Sequence, residues 1–432
     1  MKTIAVPEEI LQVPASRRNL TGVDLALLWF GAAVSMAEIL TGGLFAPLGF
    51  GMGLAAILAG HLVGNTLFAL GGVIGAREGI PSIVSTRPAF GRRGSYLASI
   101  LNILQLLGWT AVMIIVAARA VNTISTSLFH LDAQSFWVVA IGMAVTWWAY
   151  AGSHRWKVIN NLAVFLLFVL TLVVTRVVFG SPRVFSAPPS GQLSFGAGLE
   201  LAVVLPVSWL PLIADYTRFA RSTTGAAWGS WLGYFVGSSW MFVVGLAAAL
   251  ATGAADPVPM MLASNLSLVA LAVVTLATIT TTFMDVYSTA VSTLNIFTKG
   301  QEKPLTLLAG VLGTVLALYF PMERYENFLY FLGAMFTPLF AVVLADYFLL
   351  RRGRLEHAAL FAKAGPYEYW NGINLWALAA WGTGVATYYL ALGWNFPVGA
   401  TLPSVAVSAL IYLIRPALWG GRNRGTGYTA TQ

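Results

Sequence analysis

Apolar runs long enough to cross a lipid bilayer recur twelve times along this chain, and no loop between them exceeds a few tens of residues. A helix needs about 20 mostly apolar residues to cover the hydrocarbon core. The runs fall at 23–50, 52–76, 94–121, 134–151, 157–179, 194–217, 228–252, 265–296, 304–321, 326–350, 373–392 and 396–415. Only 9% of the residues are charged, against about 25% in soluble domains. A water-solvated surface of this size is excluded, and with it disorder and a soluble nucleic-acid binder. The short alternating runs of a membrane β-barrel are absent. The expected fold class is an all-α membrane protein with twelve transmembrane helices and lipid as its main partner.

Orientation follows from the basic residues, which concentrate in cytoplasmic loops. With the N-terminus inside, 20 of the 24 lysines and arginines fall on one face; Arg119, Arg176, Arg183 and Arg324 are the exceptions. Both termini are expected in the cytoplasm, and the expected location is the plasma membrane (a bacterial inner membrane). The first 20 residues carry Pro7, Glu8, Glu9 and Pro14 without an apolar core, so no cleaved signal peptide is expected. There is no cysteine, which removes disulfides, thiolate metal sites and thiol nucleophiles. No Walker A pattern, HExxH or GxSxG appears, which argues against an ATP-driven pump and against an enzyme. A secondary transporter or a channel remains, with no cofactor, no nucleic acid and no obligate protein partner in evidence.

Two spans look interrupted. Span 1 carries Gly42, Gly43 and Pro47 inside its apolar run, and in span 6 Pro206 and Pro211 bracket Val-Ser-Trp-Leu. Proline removes a backbone donor and clashes with the preceding turn. Irregular backbone at membrane depth must line a cavity or be covered by protein. Either each proline kinks a packing helix, or the two breaks occupy matching places in an inverted repeat with a binding site at the midplane. The placement favours the repeat, with spans 1–5 (23–179) set against spans 6–10 (194–350). The expected organisation is a tail at 1–22, a transport core at 23–350, a loop at 351–372, helices 11 and 12 at 373–415 and a tail at 416–432.

Charges at this depth cost about 2.5–3.5 kcal/mol on insertion scales, so they face a cavity or a partner. Glu38 lies by the span 1 break and Asp285 within TITTTFMDVYSTAVST of span 8. Each either serves function or makes a structural hydrogen bond. Asp215 and Asp346 lie near cytoplasmic ends beside Arg218 and Arg351, where salt bridges are expected. The Thr280–Thr282 run either offers hydroxyls to a hard cation or bonds back to the preceding helical turn. Trp109 and Trp209 are candidate walls for a flat ring. Gln105, one turn before Trp109, offers an amide to a heterocycle or to a neighbouring helix. The four histidines are dispersed, and none is given a metal role.

Four stretches carry a resemblance. GNTLFALGGVIGAREGIPSIVSTRPAFGRRGS (64–95), IADYTRFAR (213–221), LADYFLLRRG (344–353) and YWNGINLWALAAW (369–381) are similar to segments of the nucleobase:cation symporter-1 family. Within it the chain most resembles cytosine permease and the branch of hydroxymethylpyrimidine transporters of thiamine salvage. The resemblance implies a LeuT-like 5+5 inverted repeat with broken helices 1 and 6, and import of a small pyrimidine with Na⁺ or H⁺. It puts Trp109, Gln105, Ser208 and Trp209 at the substrate. It also implies a sodium site made of the Gly31, Val34 and Ala277 carbonyls and the Thr280 and Thr281 hydroxyls. Glu38 and Asp285 replace small neutral residues of cytosine permease. Carboxylates suit the amino group of hydroxymethylpyrimidine, which makes that compound the first expectation and cytosine or a purine the alternative.

Overall fold

The computed structural model describes residues 10–151, 157–253, 268–297, 299–363 and 365–418. All regular structure among them is helical, apart from isolated bridges joining Leu20 to Ala220 and Trp370 to Ile373. Helices satisfy their own backbone polar groups, which lipid cannot do. Span 1 is Gly22–Ala33 followed by Met36–Gly43. Span 2 is Gly49–Glu78, span 3 Tyr96–Phe129, span 4 Gln134–Ala151 and span 5 Lys157–Val178. Span 6 is Phe195–Ser208 followed by Leu210–Thr217, and span 7 is Thr223–Thr252. Span 8 is Leu268–Ile296, span 9 Glu302–Tyr319, and span 10 Tyr325–Leu344, continued as a π-helix over Ala345–Leu350. Leu375–Gly393 and Thr401–Leu418 are spans 11 and 12. The twelve predicted spans are therefore present with ends shifted by a few residues. The predicted tails at 1–9 and 419–432, and positions 265–267 of the eighth run, lie outside the described residues.

Neighbour relations expose the repeat. Span 1 packs on span 7 as span 6 packs on span 2, and span 3 lies along span 8 as span 4 lies along span 9. Span 3 meets span 9 as span 8 meets span 4. Exchanging spans 1–5 for 6–10 maps each of these pairs onto another or onto itself, the signature of a pseudo-twofold axis. The result is two packed groups: spans 1, 2, 6 and 7, and spans 3, 4, 8 and 9.

Small residues bring the backbones of the first group close together. A Cβ on Gly64 of span 2 would stand 2.5 Å from Pro206 Cγ and 2.8 Å from the Val203 carbonyl oxygen of span 6. A Cβ on Gly42 would collide with the Phe242 backbone of span 7. Gly42 and Gly43 are thus packing residues inside a continuous helical turn, and they do not break span 1 as the sequence predicts. Pro47 lies in the 3-10 turn Ala46–Leu48 that leads into span 2. The break falls earlier, at Val34 and Ser35.

Other charges hold the scaffold. Glu200 is fully buried and takes the amides of Ala400 and Thr401, each at 2.8 Å, and the Thr401 hydroxyl at 2.5 Å. It therefore caps span 12 from span 6. Asp346 forms the expected bridge to Arg351 at 2.6 Å and also accepts from Tyr412 of span 12 at 2.8 Å. Asp215 accepts from the Ser82 amide at 3.0 Å. In the loop after span 2, Arg87 donates to the Leu360 carbonyl and to Asn295 Oδ1 at 2.7 Å, and burial pushes its pKa down to about 10.

Candidate functional site

The two broken spans face each other. In span 1 the helix leaves its ladder at Val34 (φ −75°, ψ 80°), and Ser35 is extended (φ −141°, ψ 159°). The Ser35 amide turns back to the Ala33 carbonyl at 2.9 Å. The Gly31 carbonyl thereby loses the donor a continuous helix would supply. The Ser35 side chain then caps the second half, accepting from the Glu38 amide. In span 6 the break narrows to Trp209, whose amide donates to the Pro206 carbonyl at 3.2 Å, while Pro211 opens the next half-helix. The span 6 break is the one that the prolines predict.

Between the breaks lies a cavity of about 70 Å³. Spans 1, 3, 6 and 8 line it with Ser35, Glu38, Gln105, Trp109, Met113, Ser208, Trp209, Thr282 and Asp285, among others. All six residues expected at the substrate therefore meet in one place. Trp109 is held edge-on by Phe328 at 5.4 Å and Tyr325 at 6.2 Å between ring centroids. Trp209 leans on Trp29 at 5.5 Å and donates its indole N–H to Tyr234 at 2.9 Å. Both indoles are thus pinned before any ligand arrives.

The polar groups divide by what already occupies them. Gln105 Nε2 donates to Asn102 Oδ1 at 2.7 Å and to the Ser208 carbonyl at 2.9 Å. These bonds fix the amide's sense and leave buried Oε1 without a partner among the described residues. The Ser208 hydroxyl donates back to the Leu205 carbonyl at 2.6 Å. Glu38 is 2% exposed, and both its oxygens are taken: Tyr234 donates to Oε1 and Ser238 to Oε2, each at 2.6 Å. The carboxylate of Asp285 has no hydrogen-bond partner among the described residues and reaches the cavity wall.

Of the residues expected at a cation, Gly31 and Val34 lie at the span 1 break, and Ala277 and Thr280 lie one turn apart on span 8. Thr280 is fully buried, and its hydroxyl donates to the Ala277 carbonyl at 3.0 Å. Back-bonding leaves the hydroxyl lone pairs free for a cation. The side chain of Thr281 lies outside the described residues.

A family profile described as permease for cytosine/purines, uracil, thiamine and allantoin matches residues 12–413. The chain belongs to the nucleobase:cation symporter-1 family. Cytosine permease of Escherichia coli strain K12 is 31% identical over 414 residues, covering 93% of this chain and 92% of that protein. Allantoin permease of Bacillus subtilis strain 168 is 23% identical, covering 94% and 92%. Among solved structures, the family transporter Mhp1 in a closed conformation with bromovinylhydantoin bound superposes with a TM-score of 0.83. That match is 21% identical and covers 97% of this chain and 96% of that one. The fold is LeuT-like, with a 5+5 inverted repeat, broken spans 1 and 6 and two further helices. As a member of the family, the chain is a multi-pass, nucleobase-type cation symporter, not an enzyme.

Sequence reasoning missed the shell behind Glu38. Tyr234 and Ser238 lie one turn apart on span 7, and His61 on span 2 sits against Ser238 at 2.5 Å. Tyr and Ser in an apolar run give no signal of their own. A histidine within a span is rare enough to deserve a partner search, and that search would have led here.

Proposed function

We propose that the symporter imports an aminopyrimidine, hydroxymethylpyrimidine first, by alternating access. The observation that carries this reading is one cavity lined by two pinned indoles and edged by acceptors. Among the described residues, neither the Asp285 carboxylate nor Gln105 Oε1 has a hydrogen-bond donor. An exocyclic amino group supplies two, and a protonated ring nitrogen supplies a third. The ring stacks between Trp109 and Trp209, and Ser208 contributes hydroxyl lone pairs. Glu38 touches the cavity with oxygens already engaged, so it positions the Trp209 wall through Tyr234 and contacts substrate only in second place.

The coupling cation in this reading is sodium, held by the Gly31, Val34 and Ala277 carbonyls and the Thr280 and Thr281 hydroxyls. Hard cations take oxygen ligands, and the freed Gly31 carbonyl provides one. Sodium joins spans 1 and 8, stabilising the outward-open arrangement, and inward rocking releases ion and pyrimidine together. Both termini lie in the cytoplasm of a bacterial plasma membrane, supported by 20 of 24 basic residues on one side. The core comprises 23–350, with spans 11 and 12 as an added pair.

Similarity to cytosine permease over nearly the whole chain supports a second reading, with cytosine as the substrate. Calorimetric binding of hydroxymethylpyrimidine, cytosine, a purine and hydantoin to purified protein, with and without Na⁺, separates them. Hydroxymethylpyrimidine tightest and sodium-enhanced is the expected outcome; cytosine tighter by tenfold overturns the first choice. Failure of proteoliposomes to accumulate the substrate against its gradient would reduce the protein to a passive pore.

A further inference from the structure

Behind the Trp209 wall, hydrogen atoms have to be counted. His61 Nδ1 stands 2.8 Å from the Ile57 carbonyl, which only accepts, so Nδ1 carries a hydrogen. His61 Nε2 stands 2.5 Å from Ser238 Oγ, and Ser238 Oγ stands 2.6 Å from Glu38 Oε2. Each of these two gaps needs a hydrogen, and Ser238 owns one. A neutral His61 has a bare Nε2, and an ionised Glu38 has none to give. The chain of three is one hydrogen short. The count closes only if one more proton is present, either on Nε2 (imidazolium facing carboxylate) or on Oε2 (carboxylic acid facing neutral imidazole). In both forms the network is electrically neutral.

We infer that His61, Ser238 and Glu38 together bind one proton, at a site separate from the sodium ligands of spans 1 and 8. All three are at most 2% exposed. Leaving a net negative charge and a broken hydrogen bond in such a place is costly, so geometry alone favours the proton. Among the described residues nothing nearby substitutes for it. Tyr234 and Ser238 of span 7 face Glu38, Tyr325 of span 10 hydrogen-bonds Thr41 one turn beyond Glu38, and Asp285 lines the same cavity. Phe242 of span 7 meets His61 at near right angles, with ring centroids 4.7 Å apart. Among the described residues no lysine or arginine forms a salt bridge with Glu38 or His61.

The site is wired to the substrate cavity. Tyr234 donates to Glu38 and accepts from Trp209, so the proton, the second half of span 1 and the indole wall share one hydrogen-bonded path. Spans 1, 2 and 7 each contribute a member. A change in their relative position opens a gap and lets the proton leave as H⁺, returning the network to a single negative charge. The symporter thus carries a proton-binding element whose occupancy tracks its conformation, whichever pyrimidine it moves.

The test needs no substrate, so its failure is separate from failure of the pyrimidine reading. Infrared spectra of the purified full chain are recorded between about pH 5 and 8, for wild type, Glu38→Gln and Glu38→Asp. Nitrogen-15 spectra are taken with His130, His154 and His357 replaced by Gln, leaving His61 as the one imidazole. The expected result is one of two signatures. Either an un-ionised carboxylic acid band is lost in Glu38→Gln and shifted in Glu38→Asp, or His61 has both nitrogens protonated and reverts to one in Ser238→Ala. An ionised Glu38 beside a singly protonated His61 throughout that range overturns the proposal.

Discussion

Two carboxylates border the same cavity and live in opposite surroundings. Glu38 reaches it with both oxygens already held by Tyr234 and Ser238, at 2% exposure. Asp285 reaches it with no hydrogen bond to its carboxylate among the described residues. Their chemistry is the same, and the difference lies in the helix each one faces. Span 7 offers hydroxyls one turn apart toward span 1, whereas Asp285 lines the cavity shared with spans 1, 3 and 6. An acceptor without a donor suits a ligand that arrives and leaves. An acceptor with two donors is part of the wall.

Asp285→Asn gives the largest effect expected on this contrast. Losing a charged acceptor for an amino group should weaken aminopyrimidine binding about 100-fold, or roughly 2.7 kcal/mol. Thermal stability should stay level or rise, because a half-buried carboxyl, unpartnered among the described residues, is replaced by an amide. Unchanged affinity by calorimetry would erase the distinction drawn above.

Glu38→Ala should act on stability before affinity. It strands the Tyr234 and Ser238 hydroxyls, at a cost of roughly 2 kcal/mol, read as a lower melting temperature in detergent. Glu38→Gln keeps the shape, and is expected to retain pyrimidine binding while losing uptake in proteoliposomes. Normal uptake in that variant would make Glu38 a purely structural residue.

Gln105→Leu removes the unpartnered Oε1 and should weaken binding about tenfold, near 1.4 kcal/mol. A larger loss for cytosine than for hydroxymethylpyrimidine would show which ring edge the amide reads. Smallest is Thr280→Val. Removing one hydroxyl from a shell otherwise built of carbonyls should lower sodium-stimulated binding about threefold, leaving binding without sodium unchanged. If sodium has no effect on wild type, the proposed ion site on spans 1 and 8 is wrong.

Much of this was legible in the sequence because lipid imposes strict rules. Twelve apolar runs give twelve spans, since backbone polar groups at that depth have no other solution. The span 6 break was legible in Pro206 and Pro211. The span 1 break was misread because glycine has two uses. Gly42 and Gly43 lie inside the helical run Met36–Gly43, and Gly42 lets the span 7 backbone approach. The true break, at Val34 and Ser35, has no proline or glycine to announce it. Trp109, Gln105 and Asp285 were found as intramembrane polar or amphipathic residues. Their division of labour was not, because it depends on which neighbours fill which lone pairs. Tyr234 and His61 lie 196 and 23 positions from Glu38 in the chain, and only packing brings them together.

The Gln105 side chain has one further consequence. Its amide nitrogen reaches the Ser208 carbonyl, and so joins the group of spans 3, 4, 8 and 9 to the group of spans 1, 2, 6 and 7. On the proposed reading its oxygen takes the ligand, and one planar group would then act as both staple and sensor. A base seated on the oxygen polarises the amide and tightens its grip on the opposite side of the seam. The bound molecule would lengthen the lifetime of the closed form simply by being recognised, and a ligand too poor to engage that oxygen would leave the seam easier to part.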